Sequence, residues 1–140
     1  MTLTLSSAAP DLRALDTPLL VIALSSSPAM STELQPVDGI TNGALGRALS
    51  RRDFRGGRDE MLHLAGGDVG VQRVLLVGMG SPTDRAHGLR RAATLAGRQA
   101  NKLGVGRLAF FGGVLTAAEV EAVGVGLTTG AWDFRELKTA

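Results

Sequence analysis

Two uninterrupted apolar segments constrain the fold of this chain more than any other feature. Residues 18–24 read PLLVIAL and residues 74–77 read VLLV. Neither segment alternates with polar residues, and both are rich in strand-forming side chains, which predicts strands that are covered on both faces. A strand covered on both faces requires helices above and below its sheet. The sequence therefore predicts an α/β domain.

Three stretches are predicted to form helices: residues 37–49, 84–102 and 116–132. In the first, apolar residues recur at three- and four-residue steps, although Gly43 and Gly46 weaken the pattern. Asp84 is placed to cap the second helix. Thr116 and Glu119 have the spacing of a capping box at the start of the third.

Further strands are predicted at residues 2–6, 61–65 and 107–111. Strands that alternate with helices indicate parallel strands joined by right-handed crossovers, and the opening strand is expected to add an antiparallel edge. The predicted fold class is a three-layer α/β/α arrangement around a mixed, mostly parallel sheet. No repeat or long linker divides the chain, so residues 1–140 are interpreted as one domain.

The composition excludes several classes of function. The chain has no cysteine, which excludes disulfides, thiolate zinc sites and a cysteine nucleophile. No apolar run reaches the roughly 20 residues that span a bilayer, so no membrane partner is expected. The N-terminus lacks the basic leader of a signal peptide, and a cytoplasmic location is expected. A net charge of +2 does not by itself indicate nucleic-acid binding.

Neither catalytic residues nor metal ligands can be assigned. The 13 acidic residues are scattered, and the one adjacent pair, Asp59 and Glu60, is interpreted as a solvated turn. His63 and His87 lie too far apart to carry a metal-site spacing, and a structural or surface role is predicted for each. No Gly-x-Ser-x-Gly motif of a serine hydrolase is present. No cofactor is therefore expected in this chain.

Two glycine-containing loops follow predicted strands, where phosphate-binding loops also occur. The candidate ligand-loop residues are Gly78, Gly80, Ser81, Gly112 and Gly113. Thr83 occupies the position of the third glycine of a dinucleotide fingerprint. A strand-terminating turn is the preferred interpretation. The alternative is a nucleotide site in which both loops line one crevice at the strand ends.

Basic residues cluster within twelve positions: Arg47, Arg51, Arg52, Arg55 and Arg58. Such cations suit contacts to a DNA backbone. However, Asp53 and Asp59 interrupt the cluster, and Phe54 is the one side chain there that could stack on a base. A solvated loop or a subunit contact is the preferred interpretation, with DNA contact as the alternative.

Several segments, taken in order, resemble the N-terminal domain of the leucyl aminopeptidase (cytosol aminopeptidase) family. They are LLVIA at residues 19–23, RDFRGG at 52–57, RVLLVGMG at 73–80 followed by a long helix that contains RRAA, and GAWDFRELKT at 130–139. The last segment is the most specific, because a helix of the family ends in a similar sequence that leads into the catalytic domain. The resemblance covers nearly the whole chain.

The resemblance implies a macrodomain-like fold and a non-catalytic role in the assembly of a hexamer. The reaction it implies, metal-dependent release of N-terminal residues from peptides, belongs to a catalytic domain that holds two divalent metals, zinc or manganese. That domain would begin where this chain ends, and it is the expected partner together with other subunits. Related folds bind ADP-ribose, and some bacterial members of the family contact DNA. Both remain alternative functions.

Overall fold

The computed structural model describes residue 12 and residues 15–139, the last eight of them as backbone alone. A short 3₁₀ turn, Thr32–Leu34, precedes the first helix. In chain order the elements are β1 Leu20–Ser25, α1 Gln35–Ile40, α2 Ala44–Ser50, β2 Met61–Ala65, β3 Arg73–Gly80, α3 Arg85–Leu103, β4 Ala109–Phe111 and α4 Ala117–Thr139.

The strands form a mixed sheet in the order β2-β3-β1-β4. Strand β1 lies parallel to both β3 and β4, and β2 pairs with β3 in the antiparallel direction. The two strands with continuous apolar sequences, β1 and β3, occupy the centre. The predicted mixed and mostly parallel sheet is confirmed, although its antiparallel edge is β2. The strand predicted at residues 2–6 lies outside the described residues.

Alternate residues of the central strands face two separate cores. Val21 and Val77 point toward α3 and α4. Ile22 and Leu76 point toward α1 and α2, where Phe54 also packs. All four of the strand side chains are 0% exposed. The three-layer α/β/α fold therefore follows directly from the two uninterrupted apolar segments.

The helix predicted at residues 37–49 is two helices, and that prediction was wrong. Helix α1 ends at Ile40, and Gly43, which adopts the left-handed conformation with φ +83°, directly precedes α2. The Thr41 hydroxyl joins the two helices, because it donates to the Val37 carbonyl at 3.0 Å and accepts from the Leu45 amide at 3.2 Å. The apolar residues keep a helical spacing across the break because both helices pack against the same core.

The signals predicted for the starts of the two long helices are confirmed. The Asp84 carboxylate accepts from the Ala86 amide at 3.0 Å and caps α3. Thr116 and Glu119 form the predicted capping box, with distances of 2.9 and 3.2 Å between each backbone amide and the other side chain. Helix α4 continues to Thr139, beyond the predicted end at residue 132.

Helices α3 and α4 approach each other so closely that glycine is required between them. A Cβ atom at Gly126 would lie 2.3 Å from the Arg90 carbonyl oxygen, and one at Gly130 would lie 2.1 Å from the Thr94 carbonyl oxygen. These glycines therefore allow the backbones of α3 and α4 to pack in direct contact. Among the described residues, no helix has the length and apolar content that a membrane crossing requires.

Candidate functional site

The carboxyl ends of the parallel strands form the natural place for a ligand in an open α/β sheet. We call this region the carboxyl edge; it comprises residues 25–27, 78–81 and 112–113 at the ends of β1, β3 and β4. Both predicted ligand loops lie there. Strand β1 separates them, since it pairs with β3 on one side and with β4 on the other.

Residues 78–80 are the last residues of β3, and another segment of the same chain packs against them. The Gly78 amide donates to the Glu60 carbonyl at 2.7 Å, and the Gly80 amide donates to the Gly56 carbonyl at 2.8 Å. A Cβ atom at Gly78 would lie 2.0 Å from the Gly57 carbonyl oxygen. The glycines of this ligand-loop candidate therefore leave room for the close approach of another part of the chain's backbone. We call that part, residues 55–60, the bridging segment. Ser81 is exposed.

The bridging segment is held at several points. The Ser27 amide donates to the Arg55 carbonyl at 2.9 Å, which ties the segment to the end of β1. The Glu60 carboxylate accepts from the backbone amides of Gly57, at 3.0 Å, and Arg55, at 3.1 Å. The turn is thus braced from within by one acidic side chain. Two carboxylate-to-amide bonds of this kind favour a single loop conformation.

A bidentate ion pair fastens the same segment to α3. Asp59 accepts from the Arg91 guanidinium at 2.6 and 2.5 Å. This hydrogen bonding lowers the pKa of Asp59 below its ordinary value, and the positive charges of Arg91 and Arg58 act in the same direction while partial burial opposes them. Asp59 is therefore a structural anion, paired across the edge.

The second ligand-loop candidate is also engaged internally. The Arg85 guanidinium donates to the Gly112 carbonyl and pairs with Glu119 at 2.9 Å. The Thr116 amide, the Thr116 hydroxyl and Arg85 together lower the pKa of Glu119, with the amide as the main cause. Arg85 therefore links the end of β4 to the first turns of α3 and α4. Gly113 is exposed and left-handed, with φ +82°.

The arginine cluster lies on α2 and on the loop that connects it to β2. All five guanidinium-bearing residues, Arg47, Arg51, Arg52, Arg55 and Arg58, are exposed. Phe54, the one side chain of this region that could stack on a base, is 1% exposed and belongs to the core. It is therefore not available for stacking, because its ring fills the space beneath the sheet rather than facing solvent.

The two histidines lie on different elements, His63 on β2 and His87 on α3. His63 is exposed on β2, with Leu62 and Leu64 on the opposite face as predicted. His87 lines an open groove of about 330 Å³ between the first turns of α3 and α4. In the part of the chain that the structure describes, no three His, Asp or Glu side chains come together in a metal-ion site.

Sequence reasoning missed the roles of Arg85, Arg91 and the Glu60 side chain. The contacts of Arg85 and Arg91 join residues that are 27 and 32 positions apart in the chain. No local sequence motif therefore predicts them. The groove beside His87 was also missed. Its walls are two helices that meet only through tertiary packing, and their sequences carry no signal of that meeting.

Comparisons with known proteins bear on this geometry. A family model described as "Cytosol aminopeptidase family, N-terminal domain" matches residues 21–140. A probable cytosol aminopeptidase from a Geobacter species is 34% identical over 109 residues, which cover 73% of this chain and 22% of that protein.

Two solved structures share the fold. A mutant of tomato leucine aminopeptidase superposes with a TM-score of 0.69 at 23% identity, over 84% of this chain and 26% of that one. The macrodomain of Mycobacterium tuberculosis DarG superposes with a TM-score of 0.59 at 17% identity, over 91% of this chain and 89% of that one. The predicted macrodomain-like fold is confirmed.

The family match extends over most of the chain, from β1 to the end of α4. The chain spans only 22% of the curated relative and 26% of the tomato enzyme. The shared region includes the buried central strands and the long terminal helix, the segments on which the resemblance rested. The chain thus belongs to the cytosol aminopeptidase family, as an N-terminal domain of that family.

Proposed function

We propose that this chain is a non-catalytic domain that supports the assembly of a metal-dependent aminopeptidase. In this proposal residues 1–140 form one domain whose partners are a catalytic domain and other subunits, up to a hexamer, in the cytoplasm. The two divalent metals, zinc or manganese, belong to the catalytic domain. Support comes from the family match and from relatives that are named as aminopeptidases.

The observation that carries the proposal is the closure of the carboxyl edge by the bridging segment. The backbone of Gly57 approaches β3 so closely that even a methyl group at Gly78 does not fit, since the separation would be 2.0 Å. A ligand at this position would have to displace that segment and the hydrogen bonds that hold it. The same closure argues against nucleotide or ADP-ribose binding at the first ligand-loop candidate, residues 78–81.

The carboxylates near the edge support the same conclusion. Metal-assisted peptide hydrolysis needs several acidic side chains that converge on the metal ions. Here Asp59 is paired with Arg91, Glu60 accepts from backbone amides, and Glu119 completes a helix cap. Each carboxylate already has structural partners, and these partners lie in different parts of the chain.

An aminopeptidase assay tests the proposal. The purified chain is incubated with a leucine-amide substrate and added zinc or manganese, and release of leucine is measured. We expect no turnover above buffer. The variants Asp59→Asn and Glu119→Gln serve as controls for a contaminating peptidase, because contamination gives equal turnover in all samples. Turnover by the wild-type chain that either substitution abolishes would contradict a non-catalytic role.

The exposure of all five arginines favours DNA contact as a second candidate function. Phosphate contacts make binding fall steeply with salt. Gel shifts at two salt concentrations, with Arg51→Ala and Arg52→Ala compared with Arg107→Ala, measure it. Arg107 is a suitable control because it is exposed and lies just before β4 rather than in the cluster. A complex that is indifferent to salt, or weakened equally by all three variants, would dismiss this candidate.

A further inference from the structure

Strand β2 has an open edge in the described part of the chain. It pairs with β3 alone, from Met61 opposite Val77 to Ala65 opposite Arg73. Two hydrogen bonds flank this pairing: the Gly78 amide donates to the Glu60 carbonyl, and the Gly66 amide donates to the Gln72 carbonyl. They show which residues of β2 form hydrogen bonds toward β3.

Hydrogen-bonding direction alternates along an antiparallel strand. Because residues 60 and 66 bond to β3, the even-numbered residues between them also face β3. Met61, His63 and Ala65 therefore direct their amide and carbonyl groups toward the open edge. Their side chains are also exposed, on the face opposite Leu62 and Leu64.

This edge lacks the features that normally prevent strands from pairing between molecules. Such features are charged side chains, proline, and bulges. Residues 61–65 read MLHLA, with neither proline nor a fixed charge, and their register against β3 is unbroken. The edge is therefore a template for an added strand.

We propose that this edge binds the same edge of a second copy of the chain, in the antiparallel direction, around a two-fold axis at His63. This register is the one that pairs every outward-facing residue: Met61 with Ala65 of the second copy, and His63 with its own counterpart. It forms about six backbone hydrogen bonds and joins the two four-stranded sheets into one.

Charge complementarity selects a second copy as the occupant. The strand is preceded by Arg58, Asp59 and Glu60 and followed by Asp68. Asp59 is paired with Arg91, and the Glu60 carboxylate accepts from backbone amides, so the exposed charges that flank the strand are Arg58 and Asp68. An antiparallel two-fold arrangement brings the Arg58 end of each strand beside the Asp68 end of the other. The symmetry provides this opposite-charge contact twice, and no fixed like charges meet along residues 61–65.

This inference rests on the proposed assembly role and specifies one surface for it. Different results would contradict the β2 pairing and the proposed function. An assembly that forms through another surface contradicts the β2 pairing and leaves the assembly role intact. Peptide hydrolysis by the chain alone contradicts the non-catalytic role and leaves the β2 pairing intact.

Analytical ultracentrifugation of the full 140-residue chain tests the pairing. We expect a concentration-dependent dimer for the wild type. His63→Lys places two ammonium groups opposite each other and is expected to raise the dimer dissociation constant by about two- to fivefold. Val114→Lys, a matched control at an 87% exposed position before α4, is expected to leave the dimer unchanged. Circular dichroism verifies that both variants are folded.

Two further readouts identify the surface. Hydrogen exchange at the amides of Met61, His63 and Ala65 is expected to slow as the dimer forms. Asp68→Arg is expected to weaken the dimer, and adding Arg58→Asp to that variant is expected to restore it. A wild-type chain that stays monomeric at several hundred micromolar, a dimer that tolerates His63→Lys, or unchanged exchange at these amides would each overturn the proposal.

Discussion

The substitution Gly78→Ala probes the closed carboxyl edge directly. The added Cβ atom would lie 2.0 Å from the Gly57 carbonyl oxygen and 2.7 Å from the Gly56 carbonyl carbon. Both are backbone atoms, which cannot rotate away as the end of a side chain can. Either β3 and the bridging segment stay in place under strain, or the segment separates from the strand.

The two responses have similar free-energy costs. Forcing an extra methyl group into a closely packed position costs about 1–3 kcal/mol. Separation instead breaks three backbone hydrogen bonds, Gly78 to Glu60, Asp59 to Gly78 and Gly80 to Gly56, which contribute about 1 kcal/mol each. The chain adopts the cheaper response, so we expect a loss of about 1–3 kcal/mol in the free energy of unfolding.

Urea denaturation measures this loss. With a slope of about 2 kcal/mol per molar urea, the midpoint is expected to fall by about 0.5–1.5 M. Gly39→Ala is the matched control, because a Cβ atom there meets nothing within 4 Å and alanine favours the helix by about 0.5–1 kcal/mol. A Gly78→Ala midpoint equal to that of the wild type would refute the closure of the edge.

Three other perturbations have defined outcomes. Gly130→Ala places a Cβ atom 2.1 Å from the Thr94 carbonyl oxygen and is expected to lower stability by about 1–3 kcal/mol in urea; an unchanged midpoint would contradict the close packing of α3 and α4. Thr116→Ala removes the helix cap and should cost about 1 kcal/mol, measured in the same way. Asp59→Asn removes the ion pair with Arg91. Because the folded pKa of Asp59 is lowered, its contribution is present above the ordinary aspartate pKa of about 3.9 and is lost as the pH falls through the folded value. The difference between wild type and Asp59→Asn should therefore vanish in acid, and a difference that persists at the lowest pH would contradict it.

The elements that sequence reasoning predicted well are those specified by neighbouring residues. Strand β3 and helix α3 lie where the apolar run and the Asp84 cap placed them. The apolar spacing of residues 37–49 does not reveal the break at Gly43, although this glycine weakens the helical pattern. Two short helices that pack against the same core have the same spacing of apolar residues as one long helix, so the spacing does not distinguish them.

The carboxyl edge shows a different limit of the sequence. A strand that ends in Gly-Met-Gly indicates that something approaches its backbone closely. The sequence does not say whether that neighbour is a ligand or another part of the same chain. Here it is the chain, since Gly56 and Gly57 supply the approaching backbone. The contacts that hold it, such as the one between Asp59 and Arg91, join residues that are 32 positions apart.

Hydrogen exchange at the Gly78 and Gly80 amides is the most direct measurement of whether the edge is closed. Both amides bond to the bridging segment, at 2.7 and 2.8 Å. We expect both to be protected in the free chain and unchanged when ADP-ribose is added at millimolar concentration. Rapid exchange in the free chain that slows on adding ADP-ribose would reveal an open ligand site and contradict the proposed non-catalytic, structural role of this edge.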